Sequence, residues 1–185
     1  MTSVKDSIVL ESHWTVVKYR SRSQEKLQLL HYLLHYKGYS IEQIKEEIGE
    51  KPYEISRFRG NMALNEGINT LWTLVCGGSA TPFNNANARI GVGDGTAAEN
   101  PTQTGLQGAN KYFKGMDAGY PTFGTAQKAT WRSTFGPDEA NFAWNEFTIV
   151  NGPDDSAVNL NRKVEYKGTK AAGTVWIATL EITAA

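Results

Sequence analysis

The spacing of hydrophobic positions changes once along the chain, near Pro82. Before that point, apolar residues recur every three or four positions, which is typical of amphipathic helices. Leu27, Leu30 and Leu34 form one such stripe. The predicted elements of this part are a strand over 12–19 and helices over 23–37, 40–49 and 61–76. Residues 1–82 are therefore predicted to be mostly helical.

Beyond Pro82, apolar and polar residues alternate with a period of two in short stretches that glycine, proline, asparagine and aspartate separate. This pattern is typical of antiparallel sheets. The predicted strands cover 88–92, 111–116, 126–135, 141–150, 158–164 and 174–182. The sequence thus predicts an α+β fold. A helical N-terminal region (1–82) precedes an antiparallel β-sandwich of jelly-roll or immunoglobulin-like type (83–185).

Composition and charge argue against several classes of function. The 19 basic and 19 acidic side chains balance, whereas proteins that bind nucleic acid or anionic membranes usually carry a basic excess. The sequence contains no apolar stretch of membrane-spanning length, and its first residues lack the pattern of a signal peptide. We therefore expect synthesis in a cytoplasm, with neither nucleic acid nor membrane as a partner. A single cysteine excludes an internal disulfide.

The candidate catalytic and metal-binding motifs are incomplete. His31 and His35 have the i, i+4 spacing of zinc ligands, but Tyr32 stands where a metalloprotease has its glutamate base. The glycines between Gly91 and Gly95 fit neither a dinucleotide fingerprint nor a P-loop. Glu146 interrupts an apolar stretch. A glycosidase-type carboxylate pair and a calcium-binding cluster remain minor alternatives. We therefore predict a non-enzymatic protein without metal or cofactor.

Several blocks of sequence carry a family resemblance. The segment 83–97, FNNANARIGVGDGTA, resembles a family of small structural proteins encoded among the virion genes of tailed bacteriophages. The resemblance extends from about Phe58 to the end of the chain. Further blocks that agree with it lie at 59–67, 103–108, 116–121, 140–146, 160–164 and 168–170.

The resemblance implies a place in a virus particle, on the capsid or tail surface, after synthesis in the bacterial host. The leading expectation is a decoration or cement protein, a homo-oligomer that binds the major capsid protein and stabilises the shell. A minor tail or baseplate protein that binds other tail proteins and a carbohydrate-binding head-fibre module are the alternatives. We expect contacts from the stretches 91–108 and 112–123. The candidate contact residues are Arg89, Asp94, Tyr112, Phe113, Tyr120 and Phe123.

Overall fold

A computed structural model of the chain describes residues 10–184. Two five-stranded antiparallel sheets stack face to face, and three short α-helices and a π-helical turn connect some of the strands. The elements in chain order are β1 (Leu10–Arg20), α1 (Gln24–His31), a π-helical turn (Tyr32–Tyr36), α2 (Ile41–Ile48), β2 (Glu54–Arg59), β3 (Met62–Ala63), α3 (Asn65–Val75), β4 (Arg89–Gly93), β5 (Lys111–Gly115), β6 (Thr122–Thr125), β7 (Lys128–Phe135), β8 (Glu146–Val150), β9 (Asn161–Val164) and β10 (Thr174–Ala184).

The strand order places the two ends of the described chain side by side. The first sheet has the order β2-β1-β10-β7-β6, and the second has the order β3-β9-β8-β4-β5. β1 pairs with β10 from Leu10 opposite Ala184 to Arg20 opposite Thr174. The α+β prediction and the sandwich-like pair of antiparallel sheets are confirmed. The composition change near Pro82 lies between α3 and β4, and the β1–β10 pairing joins the regions before and after it.

Two hydrophobic clusters hold the layers together. Between the sheets, the buried side chains include Trp14, Trp144 and Phe147. On the outer face of the first sheet, Val17 and Val175 pack under apolar residues of the helices, among them Leu27, Leu30, Leu34 and Ile44. Both faces of the first sheet are therefore covered. This explains why β10 is apolar on its two sides, with Trp176 in the first cluster and Ile177 in the second.

Local sequence signals set the helix boundaries. Ser40 and Gln43 form a capping box at the start of α2, and Gly49 ends that helix with a φ of 72°. The prediction for α3 began too early, because Met62 and Ala63 pair with β9 and the helix starts at Asn65. Within residues 10–184, no helix is long and apolar enough to cross a membrane.

Candidate partner-binding surface

The connection between β4 and β5, residues 94–110, is the longest irregular segment of the second sheet. Most β-hairpin loops have two to five residues, and a longer loop without secondary structure is usually functional or disordered. This segment, here called the β4–β5 loop, contains the predicted contact residue Asp94 and most of the glycine-containing stretch 91–108. The contacts between this loop and the sheet beneath it therefore decide whether the loop is held in one conformation.

A buried carboxylate on β8 holds the β4–β5 loop in place. Glu146 has no exposed surface. Its side-chain oxygens accept backbone N–H bonds from Gly95 at 3.1 Å, Gln107 at 2.9 Å and Gly108 at 2.7 Å. One carboxylate therefore fixes both ends of the loop.

A buried cation on β9 completes this anchor. Arg162 is also fully buried, and its Nη2 lies 2.7 Å from Oε2 of Glu146. Its Nη1 donates to the carbonyl oxygen of Ala97 at 2.9 Å and to Oε1 of Gln103 at 3.0 Å. Because the two charges compensate each other and bond to the loop, they remain paired away from water. We call Glu146 and Arg162 the anchor pair.

The glycines of the loop make room for the anchor pair. A Cβ atom on Gly95 would lie 2.5 Å from Oε1 of Glu146 and 2.5 Å from the backbone nitrogen of Gly108. A Cβ on Gly93 would lie 2.6 Å from the same carboxylate oxygen. The glycine run therefore allows a close approach between backbone and carboxylate.

Further bonds close the neck of the loop. Asp94 accepts hydrogen bonds from the backbone nitrogen of Asn110 at 3.0 Å and from its Nδ2 at 2.6 Å. These bonds hold the pKa of Asp94 below its usual value. Nearby, Lys111 donates to the carbonyl oxygen of Leu106 and forms an ion pair with Asp155 at 2.9 Å.

The outward side of the loop is formed by small and polar residues. Exposed positions are Thr96, Ala97, Ala98, Asn100, Pro101, Thr102, Thr104, Gln107, Ala109 and Asn110. Few of these side chains have many rotamers to lose on binding. The loop therefore presents a fixed backbone with short side chains to solvent.

Four predicted contact residues lie on β4 and β5 or directly beside them. Arg89 is paired with Gly115, and Phe113 is paired with Gly91, so both project from the outer face of the second sheet. Asp94 lies at the neck of the loop just beyond them. Tyr112 instead packs against the core between the sheets and donates to Oε1 of Glu139 at 3.1 Å. Burial raises the pKa of Tyr112 to about 12, and the Glu139 charge adds to this shift.

The other two predicted contact residues belong to a different part of the molecule. Tyr120 lies in the β5–β6 connection, where the Arg132 guanidinium stands 4.5 Å above its ring. Phe123 lies on the edge strand β6, and 75% of its surface is exposed. Sequence reasoning did not single out two further exposed apolar residues, Trp72 and Val75 on α3, because a helical stripe normally faces a core.

The two predicted helix-face histidines take part in structural networks. Nδ1 of His35 lies 2.8 Å from Oδ1 of Asp117, which is fully buried. Asp117 also accepts from Nε of Arg132 at 2.7 Å and from the backbone nitrogen of Thr134 at 2.8 Å. Nη2 of Arg132 then donates to the carbonyl oxygens of Leu34 and Tyr39. This network joins the helical layer to the first sheet.

His31 lies in a neighbouring network around Glu139. Burial, together with the charge of Lys114, lowers the pKa of His31. Burial opposes ionisation of Glu139, yet the hydrogen bond from Lys114 at 2.6 Å keeps the pKa of Glu139 below its usual value. Within the described part of the chain, no three His, Cys, Asp or Glu residues are grouped to hold a metal ion.

Comparison with known proteins identifies no relative of this chain. No protein-family model, curated protein or solved structure matches this chain.

Proposed function

We propose that this chain is a non-enzymatic structural protein of a tailed-bacteriophage virion, and that it binds and stabilises the capsid shell as a decoration protein. The observation that carries the proposal is the β4–β5 loop, a long connection that the anchor pair fixes from below. The sequence resemblance supplies the viral setting. The jelly-roll or immunoglobulin-like type of the sandwich remains part of this proposal.

A fixed loop is suited to binding a rigid surface. Ordering a mobile loop opposes association, so a loop that is already ordered binds with a smaller entropy loss. The short side chains at Ala97 and Ala98 allow a partner to approach the backbone closely. We propose that the major capsid protein is this partner, and that several copies of the chain bind around a symmetry axis.

The balanced charge fits a crowded lattice. Copies with a large net charge of one sign repel each other when they pack closely, and this chain carries 19 charges of each sign. Contact area summed over many copies then stabilises the shell although each contact is modest.

The test measures binding of the isolated chain to capsids stripped of it by mild denaturant. Ala98→Trp adds bulk to the exposed side of the loop, and Ala171→Trp adds the same bulk to an exposed position in the β9–β10 connection. We expect Ala98→Trp to weaken capsid binding at least tenfold with an unchanged melting temperature, and Ala171→Trp to bind normally. Equal binding by the two variants would show that the loop does not take part in the interface with the capsid.

Fractionation of the particle tests the location. The decoration proposal predicts that the chain leaves intact, full capsids under mild denaturant. If the chain copurifies only with detached tails, the tail alternative replaces it. Strong and selective binding to a glycan array would favour the carbohydrate-binding alternative.

A further inference from the structure

A cleft of about 590 Å³ lies between the two sheets, where β1 begins and β10 ends. α3 borders it on one side, and the turn between β6 and β7 borders it on another. Leu71, Trp131, Leu160 and Ile182 form much of its apolar lining. This volume is typical of small-molecule pockets. Such pockets are also lined, as this cleft is, by apolar side chains with a few polar groups.

Two asparagines supply polar groups to this cleft. Asn161 is 1% exposed, and its Oδ1 accepts from the backbone nitrogen of Ile149 at 3.1 Å. Its Nδ2 has no hydrogen-bond partner within residues 10–184. Nδ2 of Asn61 donates to Oγ of Ser12 at 2.9 Å, whereas its Oδ1 has no partner among the same residues. Buried polar atoms are nearly always paired. Both atoms have almost no accessible surface, so a molecule in the cleft reaches them only if the side chains that cover them move.

The free donor and the free acceptor define the ligand. A head group that complements them must accept one hydrogen bond and donate another, as an amide or an alcohol does. A carboxylate only accepts, so it cannot satisfy Oδ1 of Asn61. Lys128 also lines the cleft, but its ammonium lies 2.9 Å from Oε2 of Glu181, so its charge already has a partner.

The turn at the rim of the cleft has an unusual backbone. Ala126 and Gln127 have φ values of 53° and 50°, in the left-handed region that glycine and asparagine prefer. Such strain is concentrated at ligand clamps and other functional positions. The turn is therefore consistent with a role in covering a bound molecule.

We infer that the cleft binds a small apolar molecule with an uncharged amide or alcohol head group. The apolar tail lies against Leu71, Trp131 and Ile182, and the head group bonds to Asn61 and Asn161. This site does not depend on the proposed virion role, because neither the β4–β5 loop nor the anchor pair contributes to it.

Titration of the full chain with decanamide tests the inference. We expect saturable binding of one molecule per chain, with a shift of the Asn161 side-chain amide resonances in nitrogen-15 NMR. Decanoate, which has the same tail and a charged head, should bind at least tenfold more weakly. Absence of saturable binding, or equal binding of the two molecules, would overturn the inference.

Variants separate the site from nonspecific adsorption. Asn161→Asp keeps an oxygen for the Ile149 backbone and removes the free donor, so we expect at least a tenfold loss of decanamide affinity. Asn69→Asp makes the same change at an exposed position of α3 and should bind normally. If Asn161→Asp fails to fold, Ile182→Trp, which fills the cleft, must abolish binding.

Removal of residues 1–9 provides the remaining control, because this segment directly precedes Leu10, which lines the cleft. Binding of decanamide to the full chain supports the inference. Binding that occurs only after removal of residues 1–9 would assign the cleft to that segment and overturn the inference.

Discussion

The β4–β5 loop and the β6–β7 hairpin are both surface connections, but they are held in different ways. The loop bonds to a fully buried carboxylate and a fully buried guanidinium. All four residues of β6 are exposed, and pairing with β7 includes a register shift between Phe123 and Thr125. The hairpin turn adds two non-glycine residues with positive φ.

This difference shows that exposure and order are separate properties. The loop exposes many residues and yet is fixed by charges beneath it, so it can present one shape to a partner. The hairpin is exposed and weakly held, so its local stability should be low. Of the two predicted contact stretches, 91–108, which lies mostly within the loop, is the better candidate for a rigid interface.

The largest expected effect comes from breaking the anchor pair. Glu146→Gln leaves the Arg162 charge buried without a compensating carboxylate, so we expect it to lower the free energy of unfolding by about 3–5 kcal/mol. Urea denaturation measures this change. Glu50→Gln, which removes the exposed ion pair with Lys26, should lower it by less than about 1 kcal/mol. Similar losses in the two variants would contradict the anchoring role.

A methyl group in the loop should have the next largest effect. Gly95→Ala places a Cβ against the Glu146 carboxylate and the Gly108 backbone, and we expect a loss of about 1–3 kcal/mol in unfolding free energy. Gly115→Ala is the matched control, because the nearest atom to its Cβ would be Nη1 of Arg89 at 3.5 Å. If Gly95→Ala is as stable as Gly115→Ala, the loop is not tightly held.

Lys170 offers a buried cation to compare with Arg162. It donates to two uncharged oxygens, those of Gly136 and the Asn141 side chain. Burial lowers the pKa of Lys170 to about 8 from an ordinary 10.5. Above pH 8 the unfolded chain therefore holds this proton more tightly than the folded chain, so stability should rise with pH, by about 1 kcal/mol between pH 8 and 9.

Urea denaturation at pH 7.5, 8, 9 and 9.5 checks this rise. The measurements stop below pH 10 because a tyrosine then begins to contribute. Burial raises the pKa of Tyr19 to about 12 from 10.0. Above pH 10 this tyrosine therefore ionises more readily in the unfolded chain than in the folded chain, and the stability of the fold decreases as the pH rises. Lys170→Met should flatten the profile. A rise that persists in Lys170→Met would have another origin.

The smallest expected effect is in the hairpin. Replacing Ala126 by Asn and Gln127 by Gly supplies the residues that a turn with two positive φ values prefers. We expect the double variant to raise the free energy of unfolding by about 0.5–1 kcal/mol, measured by urea denaturation. A decrease would mean that the present residues are better suited to this turn than backbone preference indicates.

The sequence predicted the local features well and the long-range contacts poorly. The helix predicted over 40–49 and the strand predicted over 174–182 depend on neighbouring residues, and the structure has both, as α2 and β10. β2 was missed because only Phe58 among its residues is buried, which leaves no alternating pattern. Glu146 was noticed as an interruption of an apolar stretch. Its partner Arg162 lies on another strand, and nothing in the local pattern links the two.

Amide hydrogen exchange of the free chain tests most directly whether the β4–β5 loop is fixed before any partner binds. The amides of Gly95, Gln107 and Gly108 donate to Glu146, and we predict that they exchange nearly as slowly as the central amides of β8. The amides at the turn between β6 and β7 should exchange much faster. If the three loop amides exchange as fast as the turn, the loop is not pre-formed.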